Sequence, residues 1–188
     1  MNKVIYLAGG CFWGMEHLMQ SIPGVTGTEC GYANGHEGAE ASYTAVCGGR
    51  TGFRETVRVE YDSELVSLEK LLFIYFSVID PTVFERQGFD IGSQYQTGIY
   101  YTDDSSREIV ERIAALEKAE YGRRFYVEIE ALRNYFPAEE YHQNYLTNNP
   151  GGYCHINPAK IRLLSKLDFE AREYTKSASL LLREKTAQ

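Results

Sequence analysis

The stretch Lys3-Val4-Ile5-Tyr6-Leu7, followed by Ala8-Gly9-Gly10-Cys11-Phe12-Trp13-Gly14, constrains this chain more than any other. The first five residues are apolar and partly β-branched, and read as a short buried strand. Glu16, His17, Leu18, Met19 and Gln20 read as a helix that must stop before Pro23-Gly24. Gly9 and Gly10 permit a tight turn between the two, which puts Cys11 on the first turn of the helix. Amide N–H groups left unpaired at a helix N-terminus favour nearby negative charge. They are expected to lower the Cys11 thiol pKa and make it a nucleophile, with Phe12 and Trp13 as large apolar surfaces beside the sulfur. A small core hydrophobe with no chemistry is the alternative, and this stretch alone leaves it open.

With 188 residues the chain fits one domain with a sizeable core. A net charge of −7 argues against a nucleic-acid surface, which needs a basic patch. No apolar run reaches the length of a membrane span. The segment before the glycine pair is too short for a signal peptide, so a cytoplasmic location is expected. The 15 tyrosines and 9 phenylalanines offer many side chains that line a pocket and, for tyrosine, add a hydroxyl. Cys11, Cys30, Cys47 and Cys154 form no C-x-x-C pair, and the four histidines show no ligand spacing, so no metal is expected. Cys30 and Cys47 read as inert small hydrophobes.

Residues 25–32 read as a second strand and residues 33–40 as loop. A short segment at residues 42–47 stops at Gly48-Gly49. Residues 53–61 alternate, with Phe53, Glu55, Val57, Val59 and Tyr61 on one face. Glu55 is therefore a carboxylate on a side that otherwise reads as core. Ser67 begins a helix with a stripe of Leu68, Leu71, Leu72, Tyr75, Phe76 and Ile79, ended by Asp80-Pro81. Residues 82–96 form a long non-periodic connection of the kind that carries function. Residues 97–102 read as a strand, Ser105 and Ser106 as caps of the next helix, and residues 125–132 as another strand. Pro137 is placed in the first turn of a helix, Cys154 on a mobile irregular segment, and residues 159–188 in one packed helix with a frayed end. The order implies an α+β fold, a two-layer α/β sandwich with a ferredoxin-like, split βαβ core and extra helices. Residues 3–160 form the core of this single domain, and residues 161–188 a C-terminal helical extension.

Gly10-Cys11-Phe12-Trp13-Gly14 has companions in a fixed order. They are Gly31-Tyr32-Ala33-Asn34-Gly35, Tyr43, Thr51-Gly52 with Glu55, Gln87-Gly88 with Asp90, Gly92 with Gln94-Tyr95, Tyr141-His142-Gln143 and Gly152-Tyr153-Cys154. Over about residues 3–160 this set resembles the peptide methionine sulfoxide reductase A family, specific for the S epimer. The resemblance implies that Cys11 attacks the sulfoxide sulfur as a thiolate. It implies that Glu55, its pKa raised by burial, delivers a proton to the oxygen. Tyr43 and Tyr95 would hold that oxygen as charge develops. Asp90 would line and orient the site, and Phe12 and Trp13 would hold the S-methyl group. By the same resemblance Cys154 is the resolving cysteine, trapping a Cys11 sulfenic acid as a disulfide that thioredoxin or another dithiol reduces. The expected substrate is methionine-S-sulfoxide, in peptides and proteins or free, in a repair reaction that needs no metal or other cofactor. A monomer is expected.

Phe53 and Phe89 depart from the family's pattern, which often has a His or small residue at the first position and Asn at the second. Both are expected to make the surroundings of the acid more apolar. No cysteine follows Cys154, so one resolving thiol must suffice. Two other classes compete on the residues alone. One is a thiol hydrolase using Cys11 with His142 as base and Asn144 as orienter. The other is a redox-sensing module in which Cys11 and Cys154 only lock two segments together. The plain structural alternatives are an arginine partner for Glu55, a core or rim role for Tyr43 and Tyr95, and a loop-turn role for Asp90.

Overall fold

In the computed structural model, which describes residues 1–187, the reading of residues 3–7 as strand and 16–20 as helix holds. The chain runs β1 (Asn2–Ala8), α1 (Phe12–Gln20), β2 (Val25–Ala33), α2 (Tyr43–Cys47), β3 (Arg54–Asp62) and α3 (Leu68–Val78). It continues through β4 (Arg86–Gln87), β5 (Asp90–Ile91), β6 (Gly98–Tyr101), α4 (Asp104–Tyr121), β7 (Glu128–Ala131) and β8 (Tyr135–Pro137). Three helices follow: α5 (Tyr145–Asn148), α6 (Pro158–Lys166) and α7 (Ala178–Thr186). Six strands form one sheet in the order β7-β6-β1-β3-β2-β8, antiparallel throughout except for the β6–β7 pair, while β4 and β5 make a separate hairpin. The result is a mixed α/β fold built on a mostly antiparallel central sheet.

Strand β1 lies inside that sheet, and its side chains alternate between two apolar environments. Ile5 and Leu7 enter the main core with Met15, Leu18 and Met19 of α1 and Leu71, Leu72 and Phe76 of α3. Tyr6 and Ala8 enter a smaller cluster with Ala33 and Tyr100 on the other face. Burial on both faces is why the run is apolar without a gap. Each large side chain buried this way contributes about 1.5–3 kcal/mol. The alternation of β3 is as expected: Phe53, Glu55, Val57, Val59 and Tyr61 are all buried. Helix α3 is capped by Ser67, whose hydroxyl oxygen accepts the Lys70 N–H. Its Tyr75 hydroxyl donates to the carbonyl of Ala8 at 2.7 Å and so pins the end of β1.

Other expectations change. The helix expected from Pro137 is instead β8, which pairs with Gly31–Ala33 at the edge of the sheet. An edge is where a sheet tolerates a residue without an N–H. Residues 82–96 hold the β4–β5 hairpin and a single 3-10 turn at Ser93–Tyr95. The cap of α4 is Asp103, which accepts the Ser106 N–H at 2.8 Å, rather than Ser105 or Ser106. Residues 125–132 narrow to β7.

Beyond residue 158 there are two helices, not one, and the segment between them turns inward. Phe169 stacks on Phe73 of α3 at 4.1 Å, and Glu117 of α4 accepts from both the Tyr174 hydroxyl and the Ala178 N–H at 2.6 Å. Gln188, the end of the expected extension, lies outside the described residues. Among the described residues no helix is long and apolar enough to cross a membrane.

Candidate active site

Cys11 is the N-cap of α1 and is 8% exposed. The turn that delivers it depends on Gly10, which has a φ of +83°. A Cβ there would also lie 2.8 Å from the Cβ of Gln87, so both conformation and approach demand glycine. Gln87 in turn accepts the Asp80 N–H at 2.9 Å and donates to the Asp80 carbonyl at 2.8 Å. These bonds tie the β4–β5 hairpin to the end of α3 and hold it against the turn.

Strand β3 brings Glu55 to the same helix end. Its Oε2 accepts the N–H of Phe12 at 3.0 Å, one of the α1 amides that lack an intrahelical partner. Glu55 is 2% exposed and forms no ion pair among the described residues, whereas the neighbouring Arg54 pairs with Glu128 at 2.8 Å. The arginine alternative for Glu55 is thereby set aside. Burial pushes the Glu55 carboxyl up to about 8; the Phe12 N–H opposes the rise and Asp90 adds to it. Glu55 is therefore protonated at neutral pH.

Cys11 departs from expectation. Burial first, then the neighbouring Glu55 and to a smaller extent Asp90, push its thiol upward, while the amides of Trp13 and Gly14 pull it down without prevailing. The helix N-terminus does point at the sulfur, but loss of solvent outweighs it. Cys11 is therefore held as a thiol rather than a thiolate near neutrality.

Tyr43 and Tyr95 rim this pair, both half-buried. Burial raises each hydroxyl pKa, and Glu55 and Cys11 raise both further, which sets the two phenols in the field of the same thiol and carboxyl. Asp90 acts on Tyr95 and Cys11, and its Oδ2 accepts the Tyr153 hydroxyl at 3.1 Å. Phe12 is buried against Tyr32 and His142. Trp13 is partly exposed, stacked on Tyr145 at 3.7 Å, and its Nε1–H donates to His142 Nδ1 at 3.1 Å. The indole is thus a fixed wall.

Tyr145 and His155 are site residues that the sequence reading does not single out, while His142 and Tyr153 enter it as members of the family pattern and His142 also as the base of the hydrolase alternative. His142 Nδ1 accepts from Trp13, burial lowers the His142 pKa, and the Asn144 side chain is engaged elsewhere, its Oδ1 accepting from Gln20 Nε2 at 2.7 Å. That is not the base and orienter of a hydrolase.

Cys154 is half-buried and its thiol donates to the Ile156 carbonyl at 3.2 Å. The segment expected to be mobile is packed against α1: a Cβ on Gly14 would lie 3.2 Å from Cys154 Sγ. Behind Cys154 opens a cavity of about 250 Å³ between Leu146, Pro158 and Ile161.

All four cysteines are free thiols. Cys30 is buried, with its thiol 3.4 Å from Glu16 Oε2. Cys47 is exposed beside the Tyr43 hydroxyl, which corrects its reading as a small hydrophobe. Phe53 is buried as expected, but Phe89 is 93% exposed and adds nothing to the apolar surroundings of the acid. Among the described residues no cluster of three His, Cys, Asp or Glu side chains could hold a metal ion.

Known proteins are similar to this chain over most of its length. The sequence model of the peptide methionine sulfoxide reductase family matches residues 3–172. The peptide methionine sulfoxide reductase MsrA of Clostridium botulinum is 47% identical over 155 residues, 82% of this chain and 98% of that protein. The MsrA of Alkaliphilus metalliredigens is 49% identical over the same shares. Among solved structures, reduced Mxr1 from Saccharomyces cerevisiae superposes with a TM-score of 0.77 at 36% identity, covering 83% of this chain and 91% of that one. Methionine sulfoxide reductase A of Corynebacterium diphtheriae gives 0.71 at 38% identity, covering 81% and 77%. A helix-start thiol beside a protonated carboxyl, on a chain matched almost end to end, has one conclusion: the chain belongs to the peptide methionine sulfoxide reductase family.

Proposed function

We propose that this chain reduces methionine-S-sulfoxide to methionine at Cys11, with Glu55 as the proton donor. One observation carries the reading: a buried carboxyl, protonated near neutrality and bonded to the Phe12 N–H, faces a thiol at the start of the same helix. A sulfoxide is a poor electrophile until its oxygen is protonated or strongly hydrogen-bonded. Glu55 supplies that proton, and the Tyr43 and Tyr95 hydroxyls hold the oxygen as charge shifts onto it. The positive charge growing on the substrate sulfur then draws the Cys11 sulfur to it. The Trp13 and Gly14 amides stabilise the forming thiolate, and the Cys11 proton replaces the one Glu55 gave up. Methionine leaves and Cys11 becomes a sulfenic acid. Trp13, held by Tyr145 and His142, and Phe12 wall the S-methyl group, and Asp90 with Tyr153 orients the substrate.

Cys154 then condenses with the sulfenic acid, releasing water and leaving a Cys11–Cys154 disulfide. Thioredoxin or another dithiol reduces it, with the cavity behind Cys154 as an approach to that sulfur. Peptide-bound and free sulfoxides are both substrates of this reading, and no metal or other cofactor is needed. Four cysteines in 188 residues are too sparse for a secreted disulfide scaffold, which supports a reducing, cytoplasmic setting. The strands β6-β1-β3-β2, with α1 and α3 in the two crossovers, support reading the core as a ferredoxin-like split βαβ. We read residues 1–188 as a single monomeric catalytic domain whose C-terminal extension starts near residue 161.

The test is consumption of thioredoxin with separate S and R epimers of a blocked methionine sulfoxide, for the wild type and Cys154→Ser. Turnover of the S epimer alone, lost in Cys154→Ser, is expected. Turnover of neither epimer refutes the reading, and full turnover by Cys154→Ser assigns resolution to another cysteine.

A further inference from the structure

The imidazole of His155 is placed by its contacts on both sides. Its Nε2 lies 2.9 Å from the carbonyl oxygen of Gly9. A carbonyl only accepts, so Nε2 carries the hydrogen and Nδ1 keeps a lone pair. That Nδ1 is buried and has no hydrogen-bond partner among the described residues. Such an atom in a native fold calls for an explanation, because leaving it unpaired is costly. A Cβ on Gly14 would lie 2.9 Å from His155 Nδ1 and 3.2 Å from Cys154 Sγ, so imidazole and thiol converge on one point of α1. The Gly14 amide also reaches the Cys11 sulfur, which brings the second sulfur to the same turn.

We propose that His155 is the general base of the disulfide-forming step, an inference that rests on the roles of Cys11 and Cys154 given above. The Cys154 S–H proton passes to His155 Nδ1 as the Cys154 sulfur attacks the sulfenic sulfur of Cys11. The S–S bond forms, the S–O bond breaks, and the departing hydroxide takes the Glu55 proton and leaves as water. The proton on Nδ1 returns to the Glu55 carboxylate through solvent. The Cys154 sulfur enters at the thiol level and the Cys11 sulfur at the sulfenic level, oxidised by two electrons by the substrate, so the two meet at the disulfide level and no further oxidant is needed.

Cys154 needs such a base, since burial holds its thiol above the usual value of 9.0. His155 is free to act near neutrality, because burial lowers it below 6.5 despite the opposing pull of the Gly9 carbonyl and Asp90. The charged group that acts on it is Asp90 from β5, and the Cys154 thiol is its neighbour in the chain and converges with it on Gly14.

Single-turnover kinetics without added reductant test this, following methionine release by quenching and disulfide formation by the fluorescence of Trp13, the only tryptophan. His155→Gln retains a side-chain N–H for the Gly9 carbonyl and removes the lone pair. Its disulfide-forming rate constant should fall about 100-fold or more relative to that of methionine release. In the wild type that rate constant should rise with pH through a limb below 6.5 and then level off, whereas the variant should climb only in the alkaline thiol range. Equal disulfide-forming rates in the two proteins overturn the proposal. Should the variant release no methionine, the wild-type profile decides: a limb confined to disulfide formation supports the base, and a rise only in the alkaline range removes it. Failure of the wild type to release methionine refutes the reductase reading instead.

Discussion

Replacing Glu55 by glutamine should make the protein more stable as it makes it less active. The carboxyl ordinarily titrates at 4.5 and is pushed up to about 8 in the fold, mainly by burial. Between those values the folded chain holds a proton that the unfolded chain has released. Stability from this group is therefore full below 4.5 and is lost as pH rises through about 8. At about 1.4 kcal/mol per pH unit, folding at pH 7 carries a cost of about 3 kcal/mol at this one residue, against about 1 kcal/mol at pH 5. Glutamine has the same shape, and its carbonyl can still accept the Phe12 N–H. Urea unfolding of both proteins at pH 5, 6 and 7 reads the difference directly. The variant's advantage should grow by about 2 kcal/mol over that range, whatever fixed cost the new amide brings. Sulfoxide reduction should drop by about 10² to 10⁴ for loss of the acid. A stability difference that stays flat from pH 5 to 7 would refute the claim that Glu55 is folded in its protonated form.

Further tests follow from single contacts. Gly14→Ala adds a Cβ at 2.9 Å from His155 Nδ1 and 3.2 Å from Cys154 Sγ. It should displace that segment and slow disulfide formation about 10-fold, against a few-fold for methionine release, in the same single-turnover experiment. Glu117→Ala removes the acceptor shared by the Tyr174 hydroxyl and the Ala178 N–H. It should cost about 2 kcal/mol in urea unfolding and speed hydrogen exchange at the start of α7, while methionine release is unaffected.

Local chemistry made much of this molecule readable from the chain. A glycine pair between an apolar run and a helical one places Cys11, because the turn needs residues without a side chain. Strict alternation in residues 53–61 exposes Glu55 as a carboxylate in a core face, and burial then raises its pKa as expected. What depended on tertiary approach was not legible. A helix N-terminus next to Cys11 is visible in sequence, but the burial that outweighs it comes from elements far along the chain. Pro137 fits a helix start and an edge strand equally well, and only the partner strand decides. Cys154 follows a glycine pair that looks mobile, yet the absence of a side chain at Gly14 lets its segment pack on α1. Cys47 and Phe89 were read by type, and both turn out to be exposed.

The most direct test of the account is one turnover by the Cys154→Ser protein, with the methionine released and the oxidation state of Cys11 measured together by mass spectrometry. The account predicts one equivalent of methionine from the S epimer, none from the R epimer, and a sulfenic acid on Cys11 alone. Methionine formed without oxidation of Cys11, or formed equally by a Cys11→Ser protein, would contradict it.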